Sequence, residues 1–137
     1  MFKKLSSINL VWLISLLMVN PVMAQTPAEI LTSIKQAATS TPGFQGFSVA
    51  RGESFFKSTH GNDWSCSTCH TNNPTENGKH AKTGKLIQPM TTSTNLERFT
   101  DAAKVDKWFK RNCNDVVGRA CTPQEKGDVL SYLMSFK

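Results

Sequence analysis

The chain has 137 residues and a formal net charge of +6, and 39% of its residues are hydrophobic. This length allows one small domain. Its basic residues are scattered rather than clustered along one helix, which argues against a nucleic-acid-binding protein.

The N-terminus is typical of a secretory signal peptide. A basic start precedes an apolar stretch at 8–19, and small or tolerated residues offer a cleavage site after Ala24. The stretch is short for a membrane span, so removal of residues 1–24 is favoured over their retention as an anchor. We therefore expect export to the periplasm and a mature domain of residues 25–137.

Four helices are predicted in the mature chain. The first begins at a capping box at Thr26, and the last begins at a second capping box at Thr122. The helices between them are predicted over about 48–59 and 100–112. Apolar residues show no regular spacing within 71–98. We expect this segment to form a long loop that wraps a bound group.

A C-x-x-C-H motif follows the second helix. Cys66 and Cys69 lie one helical turn apart and can each form a thioether with a haem vinyl group, while His70 can donate its imidazole to iron. A thiol redox pair does not require the histidine. A zinc site would need a second cysteine pair, and the spacing of Cys113 and Cys121 does not provide one. The motif therefore predicts one covalently attached haem c.

A helix, a C-x-x-C-H motif, a loop and then helices to the C-terminus are the order of the class I cytochrome c fold. We therefore expect an all-α protein of about four helices around one haem. In that fold the N-terminal and C-terminal helices cross beside the haem.

The second axial ligand distinguishes an electron carrier from a gas-binding protein. Met90 would make a simple carrier, although it lies only twenty residues beyond His70, with two helices still to follow. His60 and His80 lie in polar surroundings and are predicted to be solvated surface residues. Asn112 is the remaining candidate.

Asn112 falls on the apolar stripe of the third helix, which also contains Val105, Trp108 and Phe109. A polar side chain on a buried face needs a partner, which makes this residue a candidate ligand. Asn is also favoured just past the end of a helix. The helix-end interpretation and the ligand interpretation both stay open on these residues.

A disulfide between Cys113 and Cys121 would tie the third helix to the fourth and fix the backbone beside Asn112. Loop entropy gives such a bond about 2–3 kcal/mol. A disulfide that only stabilises the fold is an equally good interpretation. It is compatible with a role in fixing the backbone beside Asn112.

Other residues have weaker interpretations. Lys79, Lys82 and Lys85 either serve solubility or form a basic rim that steers an acidic redox partner. Trp64 and Trp108 are expected to pack against the haem.

Taken together, the C-x-x-C-H motif, its continuation at 71–74, the Asn112–Cys113 pair and Cys121 resemble the sphaeroides haem protein family. These proteins are class I c-type cytochromes with an asparagine axial ligand. They are related to cytochrome c″, which has histidine where this chain has Asn112. The resemblance covers nearly the whole mature chain, most clearly residues 48–136.

The resemblance implies that His70 is the permanent axial ligand and that Asn112 ligates ferric iron and leaves on reduction. A neutral amide oxygen suits Fe(III) and is a poor donor for the softer Fe(II). The open site would bind dioxygen, nitric oxide or carbon monoxide. The resemblance also implies electron donation by a dihaem cytochrome c with a membrane b-type cytochrome.

Two other functions stay open. One is a plain low-spin electron carrier with Met90 as the sixth ligand. The other is a haem peroxidase or nitric oxide dioxygenase. Spacing assembles no distal acid–base histidine for such an enzyme, although His80 could approach through the loop.

Overall fold

The computed structural model describes residues 24–137, so the predicted signal peptide lies outside the described residues except for Ala24. The described chain is built mainly of helices, and one short antiparallel ladder accompanies them. None of the helices in this part of the chain is long and apolar enough to cross a membrane. The elements are α1 (Pro27–Thr39), α2 (Val49–Lys57), α3 (Cys66–His70), β1 (Gly78–Lys79), β2 (Leu86–Ile87), α4 (Ala102–Val117) and α5 (Pro123–Met134).

The predicted capping boxes are confirmed at the starts of α1 and α5. The side chains of Thr26 and Thr122 accept hydrogen bonds from the backbone N–H groups of Glu29 and Glu125. Each glutamate in turn accepts a hydrogen bond from the backbone N–H of its threonine. These reciprocal bonds satisfy backbone donors that the first turn of a helix leaves free.

The predicted end of the third helix at residue 112 is wrong. This helix, α4, continues to Val117 and is ended by Gly118, whose φ of +74° lies in the left-handed region. The predicted helix ended too early because the residues after 111 are mostly polar and have low helix propensity. Glycine at this position is the usual signal for a helix end.

Helix α5 is the centre of the core and contributes to two apolar clusters. One lies between α2 and α5, and the other joins α5 to α1 and α4. Met134 packs against the second cluster. The buried members are Phe56, Val129, Tyr132 and Leu133 in the first cluster, and Ile30, Val105 and Leu130 in the second.

A buried carboxylate fixes α2 against α5. The Asp128 side chain is only 5% exposed and forms an ion pair with Arg51, whose Nε lies 2.8 Å from Oδ2. Oδ1 accepts hydrogen bonds from the backbone N–H of Ser48 at 2.7 Å and from Gln124 Nε2 at 3.0 Å. Because these donors satisfy the buried charge, the network ties the start of α2 to the middle of α5.

Gly52 allows α2 and α5 to approach closely. A Cβ atom at Gly52 would overlap the backbone carbonyl of Asp128, which cannot move without shifting α5.

We expect Gly52→Ala to lower the free energy of unfolding by about 1–3 kcal/mol, because the added methyl group overpacks this crossing. Denaturant unfolding of the purified protein measures the loss. Ser54→Ala, at an exposed position of the same helix, is the matched control. Equal stabilities for the two variants would show that the crossing tolerates a side chain.

Candidate haem site

The C-x-x-C-H motif folds as the single-turn helix α3. Ser65 caps it: its hydroxyl accepts from the backbone N–H of Thr68 at 3.2 Å, and Thr68 Oγ1 accepts from the backbone N–H of Ser65 at 2.9 Å. One helical turn therefore separates Cys66 from Cys69, and both thiols are free. This is the spacing that two thioether bonds to one haem require.

The environment of Cys66 disfavours a thiol redox function. Burial raises the pKa of the Cys66 thiol to about 11. Thiol–disulfide exchange needs a thiolate, and redox-active C-x-x-C pairs have lowered thiol pKa values. A protonated, partly buried thiol instead suits a residue that reacts once, during cofactor attachment.

His70 has the properties of an axial ligand. Burial, followed by the positive charge of Arg98, lowers the pKa of its imidazole to about 4. The ring is therefore neutral at physiological pH, as ligation requires. Its Nδ1 atom is buried and has no hydrogen-bond partner within residues 24–137. Buried polar atoms normally have a hydrogen-bond partner. The unpartnered ring of His70 therefore fits a motif that binds a group outside the polypeptide.

The predicted long loop contains the ladder of β1 and β2, which packs against the haem motif. A Cβ atom at Gly78 would overlap the carbonyl of Cys69, and the backbone N–H of Ala81 lies 3.3 Å from the sulfur of Cys69. The prediction of a loop without strands is therefore wrong for these four residues. The ladder holds residues 78–87 beside the motif.

The three lysines of the proposed basic rim are exposed on this hairpin. The Nζ atom of Lys82 lies 4.8 Å from the ring centroid of Trp64, a cation–π contact. Trp108 is 49% exposed, and the guanidinium carbon of Arg111 lies 5.6 Å from its ring centroid. Packing of either tryptophan against a haem stays a prediction.

The two remaining histidines take part in local hydrogen bonds. His60 is half-buried: its Nε2 donates to the Phe55 carbonyl at 2.8 Å, and the two rings lie 4.1 Å apart. The prediction that His60 is a solvated surface residue is therefore wrong. His80 is also half-buried, and its Nδ1 accepts from the backbone N–H of Thr83 at 3.2 Å.

Asn112 lies inside α4, more than one turn before the helix ends. The helix-end interpretation of this residue is therefore wrong, and the polar side chain needs another explanation. Asn112 is half-buried and lies between two apolar neighbours on the helix, Phe109 and the buried Val116. A helix interior offers no capping role to an amide, and ligation by Asn112 stays a prediction.

Met90 has a packing role. Its side chain packs, with Cys66, against the apolar cluster between α2 and α5. Its backbone N–H donates to the Pro74 carbonyl at 2.8 Å, which ties the loop to the segment after the motif. These contacts explain a half-buried methionine without ligation.

The disulfide between Cys113 and Cys121 is present, with the two Cα atoms 5.6 Å apart. Both residues are buried. The bond joins the last turns of α4 to the residue before the Thr122 cap, and it holds the helix directly beside Asn112.

Cys121→Ser should lower the free energy of unfolding by about 2–3 kcal/mol, because the unfolded chain regains the freedom of the closed loop. Cys113→Ser should cause the same loss, and the double variant should lose no more than either. Loss of the bond should also loosen the backbone beside Asn112 and so change the ferric absorption spectrum. Thermal unfolding and that spectrum measure the two effects. A variant with the wild-type melting temperature and ferric spectrum would contradict this role of the bond.

The helical turn with two free thiols and a neutral histidine, packed on the α2–α5 core, defines a c-type cytochrome. The chain belongs to the family described as "Domain of unknown function (DUF1924)", which it matches over residues 42–133. It is 39% identical over 127 residues to the cytochrome c-type protein SHP of Cereibacter sphaeroides, covering 88% of this chain and 94% of that one. It is also 39% identical over 103 residues to cytochrome c″ of Methylophilus methylotrophus, covering 72% of each.

Solved structures show the same fold. Oxidised SHP, an oxygen-binding cytochrome c, superposes with a TM-score of 0.72 and 40% identity, covering 82% of this chain and 99% of that one. Oxidised cytochrome c″ from Methylophilus methylotrophus gives a TM-score of 0.69 and 34% identity, covering 81% of this chain and 94% of that one. The expected all-α cytochrome c fold and the resemblance to the sphaeroides haem protein family are confirmed.

Proposed function

We propose that this protein is a periplasmic monohaem cytochrome c that accepts electrons and, once reduced, binds a small diatomic ligand. Cys66 and Cys69 attach the haem, and His70 is the permanent axial ligand. When bound, the haem supplies a redox-active iron whose second axial position can accept a ligand. Asn112 occupies that position in the ferric state and leaves it on reduction.

The placement of Asn112 carries this proposal. The residue is a half-buried amide in a helix interior, next to a buried disulfide that fixes its backbone. An amide oxygen is a hard, weak donor that suits ferric iron better than ferrous iron. The likeness to SHP, an oxygen-binding cytochrome c, supports the same function.

The chemistry of the ligand pocket sets the class of ligand. Once Asn112 is released, the open position on ferrous iron would accept dioxygen, nitric oxide or carbon monoxide. The electrons would come from a dihaem cytochrome c coupled to a membrane b-type cytochrome. Exposed Lys79, Lys82 and Lys85 beside the motif would attract an acidic face of such a partner.

Absorption and magnetic circular dichroism spectra of the oxidised and the dithionite-reduced protein test the proposal. We expect a high-spin ferrous spectrum that changes on addition of carbon monoxide. A low-spin ferrous spectrum, with a sulfur-to-iron charge-transfer band in the oxidised form, would instead identify Met90 as the ligand and a plain electron carrier.

A further inference from the structure

Arg98 is a half-buried cation that forms no ion pair in the described part of the chain. The ion pairs within residues 24–137 all use other basic side chains. Burial lowers the pKa of its guanidinium, which reflects the cost of removing the charge from water. A partly desolvated charge gains stability from an opposite charge beside it, so an anion at this position would be favourable.

Backbone carbonyls hold the Arg98 side chain in place. Nε donates to the carbonyl of Pro89 at 2.7 Å, and Nη2 donates to the carbonyl of Gln88 at 2.6 Å. These bonds orient the guanidinium without neutralising it, and they leave the Nη1 donors for another acceptor. A planar guanidinium held in this way matches the geometry of a carboxylate.

The surrounding contacts place Arg98 on the side of the molecule that carries the haem motif. The loop that it holds includes Met90, which packs against the same apolar cluster as Cys66. Phe99, the next residue, has a φ of +59° and packs against both apolar clusters, which fixes the chain direction at Arg98.

We propose that Arg98 binds a propionate carboxylate of the haem. Haem brings two carboxylates, and either of them would supply the counter-charge that Arg98 does not find within residues 24–137. The pairing would neutralise negative charge near the iron and thereby favour the ferrous state. This inference rests on the haem attachment in the proposed function, and it is independent of the identity of the second axial ligand.

Two variants of the haem-loaded protein, Arg98→Gln and Arg98→Lys, test the pairing. The propionate bending band in the resonance Raman spectrum and the midpoint potential are the readouts. Arg98→Gln should shift the band and make the potential more negative. Arg98→Lys keeps the positive charge but loses the planar guanidinium with its paired N–H donors. It should therefore shift the propionate band but change the midpoint potential less. Lys35→Gln removes a charge from an exposed site on α1 and should change neither.

Unchanged Raman bands in both variants would overturn the proposal, even if their melting temperatures fell. In that case Arg98 would serve only to hold the backbone of residues 88–89 through its hydrogen bonds. If Arg98→Gln does not yield a folded holoprotein, the band of Arg98→Lys decides the question. A failure of the proposed gas binding would appear separately, as a low-spin ferrous spectrum of the wild-type protein.

Discussion

Asn112→His is expected to give a bis-histidine, low-spin ferric haem and to weaken carbon monoxide binding by about tenfold or more, or ~1.4 kcal/mol. Imidazole is a stronger iron ligand than an amide oxygen, so it would compete better with carbon monoxide for the iron. Asn112→Ala removes the proposed ligand instead of replacing it by a stronger one. It should leave the haem attached, change the ferric spectrum and retain carbon monoxide binding. Ferric and ferrous absorption spectra, followed by carbon monoxide titration, measure these effects.

Met90→Ala is the matched control for the Asn112 variants. It removes a half-buried side chain from the α2–α5 cluster, so it should cost about 2 kcal/mol of stability. Its ferric and ferrous spectra should remain those of the wild type. An altered ferric spectrum in Met90→Ala, together with an unchanged one in Asn112→Ala, would assign the ligand to Met90.

The double variant Cys66→Ala/Cys69→Ala should lose covalently bound haem completely. The other two cysteines are joined in a buried disulfide, so they cannot replace the lost thioethers. Haem staining after denaturing electrophoresis measures attachment, and it should be absent. Cys66→Ala alone should retain at most one thioether and stain more weakly. Cys121→Ser, which leaves the motif intact, should stain like the wild type.

Retained stain in the double variant would show that the haem is attached elsewhere. Loss of the haem should also destabilise the fold, because a domain of this size depends on the apolar surface that the group contributes. Circular dichroism melts of the double variant and the wild type would measure this second effect.

Much of the fold was predictable because its signals are local. The capping boxes at Thr26 and Thr122 depend on residues three positions apart, and the C-x-x-C-H motif is complete within one turn. The Cys113–Cys121 pairing joins neighbouring segments. Each of these features is specified by nearby residues, so a pattern in the sequence identifies it without knowledge of the tertiary structure.

The features that were not predictable depend on residues far apart in the chain or on unusual backbone angles. The environment of His60 follows from left-handed angles at His60 and Gly61, which turn the histidine back onto Phe55. The ladder of β1 and β2 is too short to produce an alternating pattern. Arg98 shows no signal in the sequence, because its isolation depends on which carboxylates the fold brings near it.

The continuation of α4 beyond Asn112 has a consequence for kinetics. Since the helix is regular there and the disulfide at Cys113 tethers the next residue, movement of the backbone at Asn112 is restricted. Under the proposed ligation, release then needs only rotation about side-chain bonds, which is among the faster motions of a protein. The rate of gas capture would therefore be set by electron delivery. After flash photolysis, the returning amide would compete with the gas for the iron.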